Sequence, residues 1–324
     1  MMVKSCAANE SEEEQKEGTS EQQFGPPPEA MFLVLAYLPL YELLCMSKVC
    51  RSLRDAVKGD ILPWLNIAVE APLHSRISDD ILMKITAVAD GRLATLALLN
   101  CFKVTDDGLL RVIQKNPRIT KLYIPGCTGI TPEGVIKAVQ LLTNTNHHTL
   151  KTLKISGIYN ITKEHLQTLC NLLGKPQNHH HQNPNNFYHN RRDISAIRLE
   201  EDDPFIDIDE CPKCGEIRAV FDCPRESCIC RGCIICIRRC EECGVCMVGE
   251  EDEQCEAACA DDLCLGCWLR LPKCSFCNRP YCHQHSNQQC RLPGYEAYEG
   301  FLCVICNDNF VQNSSSLLSM IYIK

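Results

Sequence analysis

Between Cys211 and Cys306 the chain places 20 of its 26 cysteines. A segment of that kind has few large apolar side chains and cannot fold by burial alone. Either disulfides or metal ions must tie it together. No apolar signal-peptide core follows Met1, and the chain opens polar and acidic. No stretch reaches the roughly 18 apolar residues of a membrane span. The expected setting is therefore intracellular, nucleus and/or cytoplasm, with no membrane contact. There thiols stay reduced, and clustered cysteines are read as metal ligands, with disulfides as the alternative.

The spacing supports the metal. CxxC pairs occur at Cys211/Cys214, Cys230/Cys233, Cys233/Cys236, Cys240/Cys243, Cys243/Cys246, Cys264/Cys267, Cys274/Cys277 and Cys303/Cys306. Two thiolates of one tight turn can reach one tetrahedral zinc, and two such pairs close a site. Cys223, Cys228, Cys255, Cys259, Cys282 and Cys290 add single ligands, and the run CHQH adds His283 and His285. These 22 candidates suffice for at most five four-ligand zincs, and four or five are expected. The overlapping pairs leave the partnering open. Four-fold closure leaves no position for substrate, so the zinc is expected to supply folding energy rather than catalysis. His147–His148 and His179–His181 stand in polar loops and read as solvated. Cys45, Cys50 and Cys170 read as core cysteines in helices.

The 324 residues suggest two or three domains. Residues 1–25 are acidic, almost free of apolar side chains, and expected to be a disordered tail. Residues 26–64 are apolar at helical spacing. Residues 62–200 repeat, with a polar Asn/His insert at 175–192. The run EEDDPFIDIDE at 200–210 reads as an acidic hinge. The cysteine domain covers 211–306, and 307–324 form a polar tail. A net charge of −8 argues against a nucleic-acid partner. Arg231, Arg238 and Arg239 make the one local basic cluster of the cysteine domain.

In the front module, Pro28 can take the first helical position, with Glu29 near the positive helix end. Phe32, Leu35 and Leu38 share a face, and Pro39 stops the helix. Leu40, Leu43 and Leu44 mark a second helix; Val49, Leu53, Ala56 and Val57 mark a third. So small a core usually needs a partner. The run PPEAMFLVLAYLPLYELLCMSKVCRSLRDAV with the closing Trp64 resembles an F-box. The match rests on Pro28–Glu29, the Leu38–Pro39 break, Leu43, Ser47, Val49–Cys50–Arg51 and Trp64. Pro27–Pro28 stands where the family usually opens with Leu-Pro, and Leu53 where a Trp is often found. The resemblance implies docking on a Skp-type adaptor, and through it on a cullin, by Pro28, Phe32, Leu35, Leu38, Pro39, Leu43 and Leu44. A plain three-helix cap on the repeats is the alternative.

The repeats follow L-x-x-L-x-L. The template fits Leu62/Leu65/Ile67, Leu93/Leu96/Leu98, Ile119/Leu122/Ile124, Leu150/Leu153/Ile155 and, loosely, Ile194/Ile197/Leu199. Cys101 and Cys127 take the ninth place of the second and third units. Helical stretches between them open on Ser78-Asp79, Thr105-Asp106, Thr131-Pro132-Glu133 and Thr162-Lys163-Glu164, an N-cap signature. The pattern resembles the cysteine-containing leucine-rich repeats that often follow an F-box, with an ordinary α/β sheet as the alternative. It implies a short curved solenoid with strands inside. The alternate strand residues then line its concave face: Thr95 and Ala97, Lys121 and Tyr123, Thr152 and Lys154, Ala196 and Arg198. Lys121, Tyr123, Lys154 and Arg198 would suit an acidic or phosphorylated segment of a protein substrate.

The expected architecture is thus α+β and multidomain: a three-helix F-box, a short leucine-rich-repeat solenoid of α/β type, and an irregular Cys-rich domain held by zinc. The order resembles a plant Skp-interacting F-box group that ends in a cysteine-rich region. It implies a non-catalytic substrate receptor of a Skp–cullin–F-box (SCF-type) ubiquitin ligase. The competing expectation is a stand-alone ligase. Cys243, Cys246, Cys255, Cys259, Cys264, Cys267, Cys274 and Cys277 follow an order resembling a RING cross-brace, with Trp268 after the sixth ligand, where RING domains often carry an apolar contact for the conjugating enzyme.

Overall fold

The computed structural model describes residues 29–144, 150–174, 186–189, 205–247, 254–291 and 300–311. Its front is helical. α1 (Glu29–Val34) runs into a 3-10 turn, Leu35–Tyr37, and breaks at Pro39. α2 (Leu40–Val49) and α3 (Arg51–Gly59) pack against each other. Leu35, Leu40, Leu43, Leu53 and Val57 are buried between them. That core does not end at the module. It is continuous with Trp64, Ile67 and the apolar side chains of the strands that follow. The Trp64 indole N–H donates to the Val57 carbonyl at 2.8 Å, a buried bond that contributes about 1 kcal/mol.

Four short parallel strands then form one sheet in chain order: β1 (Asn66–Val69), β2 (Thr95–Leu98), β3 (Lys121–Tyr123) and β4 (Thr152–Lys154). Helices α4 (Asp79–Ala87), α5 (Asp106–Lys115), α6 (Pro132–Asn144) and α7 (Lys163–Leu172) alternate with them, each packed on the next. Ile67, Leu96, Leu122 and Leu153 are in register and buried. The first unit departs from the expected phase. Ile67 aligns with Leu96, not Leu98, so Trp64 and Ile67 occupy the slots expected for Leu62 and Leu65. The 3-10 turn Leu62–Trp64 aims the indole inward and leaves Leu62 in solvent. Cys101 and Cys127 are buried at the turns after β2 and β3, and Cys127 Sγ donates to the Leu98 carbonyl at 3.1 Å. Cys45, expected in the core, is exposed.

The helix openings do more than cap their own helices. The Asp79 carboxylate accepts from Thr105 N at 2.9 Å and Thr105 Oγ1 at 2.7 Å, one repeat further on. Asp106 accepts from Thr131 N at 2.8 Å and Thr131 Oγ1 at 2.7 Å. Each carboxylate sits over the next helix's first turn, close to its positive end. Gly108 and Gly134 are required by this approach: a Cβ on either would lie 2.0 Å from the carboxylate oxygen of Asp79 or Asp106. At the third junction Pro132 replaces the aspartate. There His165 stands where the glycine was, closing a capping box with Thr162 and facing Glu133 at 3.5 Å.

The expected fifth strand, Ile194/Ile197/Leu199, lies outside the described residues. The sheet edge beside β4 is taken by residues 205–208, part of the run expected to be a hinge. Leu153 N donates to the Phe205 carbonyl at 2.8 Å, and Ile206 pairs in parallel with Leu153. The Asp207 carboxylate accepts from Ile155 N at 2.7 Å and Ser156 N at 3.1 Å. Ile206 and Ile208 join the main core. The acidic run is thus fastened at its far end because its alternate residues, Ile206 and Ile208, are apolar.

The Cys-rich region has only short elements. These are β5 (Asp209–Glu210), β6 (Ile217–Arg218), β7 (Val220–Asp222), β8 (Arg231–Cys233), β9 (Gln254–Glu256), β10 (Asp262–Cys264), α8 (Leu265–Arg270), β11 (Cys290–Arg291) and β12 (Phe301–Leu302). Residues 186–189 of the expected polar insert lie on this region. Phe187 bridges Asp222, Asn186 Nδ2 donates to the Val220 carbonyl at 2.9 Å, and buried Tyr188 meets Phe221 edge to face at 5.2 Å.

Gly108→Ala is expected to destabilise the chain by about 1–3 kcal/mol, because the new methyl group must expel the Asp79 carboxylate. Asp79→Ala removes the same contact from the other side, so the double variant should lose less than the sum of the singles. Urea midpoints of the four proteins test this; strictly additive losses would contradict the staple.

Candidate functional site

Twenty side chains of the Cys-rich region converge in five groups of four: Cys211, Cys214, Cys233 and Cys236; Cys223, Cys228, Cys230 and Cys246; Cys240, Cys243, Cys264 and Cys267; Cys274, Cys277, Cys303 and Cys306; and Cys259, Asp261, Cys282 and His285. In each group the donor atoms lie within 4.8 Å of one another. Sulfur–sulfur separations are 4.0 Å for Cys214–Cys233, 3.7 Å for Cys223–Cys246, Cys228–Cys246 and Cys243–Cys264, and 3.8 Å for Cys277–Cys303. A disulfide needs about 2.05 Å. A tetrahedron with metal–sulfur bonds of about 2.3 Å has edges of about 3.8 Å. The thiol spacing fits that tetrahedron, so these groups are positioned to bind metal ions.

The tight turns supply electrostatics as well as position. Burial opposes charge on Cys211, but the backbone N–H groups of Cys233, Cys214 and Lys213 outweigh it and bring its thiol to about 6. Cys240 is lowered to about 5, first by the Cys243 thiol and then, against burial, by the backbone N–H of Cys264 on the facing turn and those of Cys243 and Glu242 on its own. Cys223 and Cys274 come to about 7, burial again being outweighed by turn N–H donors. Their neighbours go the other way: Cys243 is pushed up by the adjoining Cys240, and Cys236 to about 12 by Cys214. In each of the four all-cysteine groups one thiolate is favoured and the next is resisted by like charge. A cation removes that resistance.

Two arginines lie beside the thiols. Arg239 is 2% exposed, and its guanidinium donates to the carbonyls of Phe221 at 2.7 Å and Asp222 at 3.1 Å beside Cys230. Arg270 donates to Cys267 Sγ at 3.3 Å. Arg231 pairs with Asp222 at 2.9 Å and Asp209 at 3.1 Å. Arg231 and Arg239, two members of the basic cluster seen in the sequence, are therefore engaged within the fold.

The groups are interleaved. Each opens before the previous one closes, from Cys211 through Cys306. Three of the residues expected as ligands are not in any group: Cys255, His283 and Cys290. Cys255 lies on β9 opposite Leu263, His283 is exposed on a 3-10 turn, and Cys290 packs beside Cys274 and Tyr281. Sequence reasoning missed Asp261, which takes the fourth place beside Cys259, Cys282 and His285. Its signal was the spacing Cys-x-Asp ahead of Cys-x-x-His. The RING-like set expected from Cys243 to Cys277 does not form. Cys243 joins Cys264 and Cys267, Cys246 joins Cys223, and Cys274 and Cys277 join Cys303 and Cys306.

The other expected site residues fall on two surfaces. Pro28 lies outside the described residues. Leu35 and Leu43 are buried in the chain's own core and cannot face a partner, while Phe32, Leu38, Pro39 and Leu44 are half-buried. The exposed apolar side chains of the helical module are instead Leu33 at 75%, Tyr37 at 77%, Val34, Tyr41 and Val49. Helical periodicity showed that the module had an apolar face. It could not show which apolar residues the module consumes itself. On the sheet, Asn66, Thr95, Lys121 and Thr152 align on one face, as do Ala68, Ala97, Tyr123 and Lys154. Tyr123 is fully buried rather than open to a ligand, and Lys154 Nζ lies 5.0 Å above its ring. Arg198 lies outside the described residues.

Comparison with known proteins matches two parts of the chain to families: residues 27–65 to the F-box domain, and residues 207–276 to the At3g27290 F-box protein C-terminal domain. The chain is 41% identical over 300 residues to the F-box protein SKIP28 of Arabidopsis thaliana, covering 90% of this chain and 93% of that protein. It is 35% identical over 254 residues to the F-box protein SKIP14 of the same plant, covering 75% of this chain but 55% of that protein. A third relative, the Arabidopsis F-box protein At3g27290, is 36% identical over 234 residues, 68% of this chain and 60% of that protein. With an F-box over the α1–α3 module, a C-terminal F-box-associated domain over the first part of the Cys-rich region, and this degree of likeness to SKIP28, the chain belongs to the F-box proteins of the SKIP group.

Proposed function

We propose that this chain is the substrate-recognition subunit of an SCF-type ubiquitin ligase, itself non-catalytic. Its F-box takes a Skp-type adaptor, and through it a cullin. The observation that carries this is the exposed apolar set of the helical module. Leu33 and Tyr37 are each three-quarters exposed next to a core that is already closed by Leu35 and Leu43. Exposed side chains of this size on a small module suit a partner surface. The four parallel strands and their alternating helices are best read as a short leucine-rich-repeat solenoid, with half-buried Lys121 and Lys154 on one face of its sheet. That face suits an acidic or phosphorylated segment of a protein substrate. The thiol groups hold structural zinc, whose affinity for thiolates matches four-sulfur sites.

Ligase activity of the chain alone has one observation in its favour. The pairs Cys240/Cys243, Cys259/Asp261, Cys264/Cys267 and Cys282/His285 alternate between two groups, as in a RING cross-brace. Two contacts weigh against it. Lys273 Nζ lies 4.6 Å over the Trp268 ring, and Glu242 of the first turn accepts from His283 N at 3.0 Å. Trp268 and the Glu242 carboxylate are thus engaged internally.

Leu33→Asp with Tyr37→Ala should abolish co-purification of a Skp-type adaptor while leaving thermal stability nearly unchanged. Leu43→Ala should instead cost about 2–5 kcal/mol of stability. Adaptor recovery undiminished in the first variant would remove the docking surface from this face. Lys121→Glu with Lys154→Glu should keep the adaptor and change the set of co-purifying substrates; an unchanged set would move substrate binding elsewhere. With activating enzyme, conjugating enzyme and ubiquitin, but no adaptor or cullin, the chain should form no polyubiquitin. Robust chain formation lost on Trp268→Ala would favour the stand-alone ligase.

A further inference from the structure

One of the five groups differs in kind. Asp261 Oδ2 lies 3.3 Å from Cys259 Sγ, 3.0 Å from Cys282 Sγ and 2.9 Å from His285 Nδ1. Cys282 Sγ lies 3.2 Å from the same ring nitrogen. A nucleophile–base–acid relay needs the thiol on one imidazole nitrogen and the carboxylate on the other. Here both face Nδ1. That nitrogen is either a donor or an acceptor in the neutral ring and cannot serve both neighbours well by hydrogen bonding. Four donor atoms meeting at one point are what a cation collects. With bonds of about 2.0 Å to oxygen and nitrogen and 2.3 Å to sulfur, the edges of such a site are about 3.3–3.6 Å, a little longer than the contacts seen.

We propose that Cys259, Asp261, Cys282 and His285 form a fifth zinc site, chemically distinct from the four thiolate sites, and that its metal is the exchangeable one. The proposal rests on reading the other four groups as zinc sites. Two arguments make this site the weaker. It offers two thiolates where the others offer four, and a hard carboxylate is a poorer match to zinc than sulfur. Reach does not single it out, since the side chain of His285 is 35% exposed and that of Asp261 19%, while Cys214, Cys236 and Cys277 of two thiolate groups are exposed; the weakness lies in the donors. Its place in the chain gives exchange a consequence. Cys259 and Asp261 lead into the Cys264/Cys267 turn, and Cys282 and His285 follow the Cys274/Cys277 turn. Zinc here ties the third thiolate site to the last. Its loss removes that tie while leaving each closed, with the Ala258 N–H on the Pro280 carbonyl at 2.7 Å and the Arg279–Glu256 pair at 3.1 Å as the remaining links, so free zinc sets how firmly the final knuckle, with exposed Phe276 and Ile305, is held.

The full chain, loaded with zinc and desalted, is challenged with a chromophoric zinc chelator while its thiols are mapped by alkylation and mass spectrometry. Five zincs are expected. One should leave roughly tenfold or more ahead of the rest, the scale on which even outer-shell changes move metal affinity. At that point Cys259 and Cys282 should be alkylated and the cysteines of the four thiolate groups protected. Asp261→Ala should hold four zincs with no fast release, and Asp261→Cys should hold five with the fast phase gone. The proposal is overturned by five zincs leaving at one rate. It is equally overturned by early alkylation at other group cysteines, or by four zincs in the wild type with Cys259 and Cys282 reactive from the start. Fewer than four zincs in the wild type sinks the underlying zinc reading instead. The wild-type mapping decides the matter even if a variant fails to fold.

Discussion

Thiols set 3.7–4.0 Å apart would repel one another once ionised, and among the described residues the Cys-rich region has little other structure to hold them there. Its strands are two or three residues long, and the clusters of buried side chains within it are small and contain many of the cysteines themselves. A cation bound in each group would supply the counter-charge, with Arg239 and Arg270 as local assistance. Because the groups interleave along the chain, each site's closure fixes the loop that carries a ligand of the next. Cooperativity here is a matter of connectivity, not of a shared apolar core.

The front of the molecule obeys the opposite logic. A single apolar core begins at Leu35, passes through Trp64 and the four strands, and reaches Ile208. The helical module, too small to be stable by itself, borrows the first repeat as its base. The two halves are joined by contacts each lends the other: residues 205–208 complete the sheet edge, and residues 186–189 complete a ladder on β7.

Much of this was legible in the sequence because it depends on short spacings. The strands β2, β3 and β4 stand on the L-x-x-L-x-L residues, since alternation of period two and burial of one face are local facts. Ser/Thr followed by an acidic residue marked the helix starts. The destination of the carboxylate, one repeat onward, was not legible, although Gly108 and Gly134 hold its trace. The first repeat slipped by two residues because a tryptophan filled a leucine's slot. Most of the cysteines that gather were identifiable as candidates and their grouping was not, because CxxC fixes a turn but not the second turn that meets it. Asp261 escaped notice because a carboxylate is common on any surface and becomes a candidate ligand only through what surrounds it. Leu35 and Leu43 were placed on the wrong side of the F-box because periodicity gives a face without saying what lies against it.

The bond from Trp64 to Val57, in a core shared by helices and strands, packs the F-box and the sheet as one body. In the receptor proposed above, such a junction would work like a jig rather than an arm. Whatever rests on the sheet is held at one distance and one orientation from whatever rests on Leu33 and Tyr37. Which lysines of a captured protein come within range would then be settled by the size and shape of that protein, and by slack in its own chain.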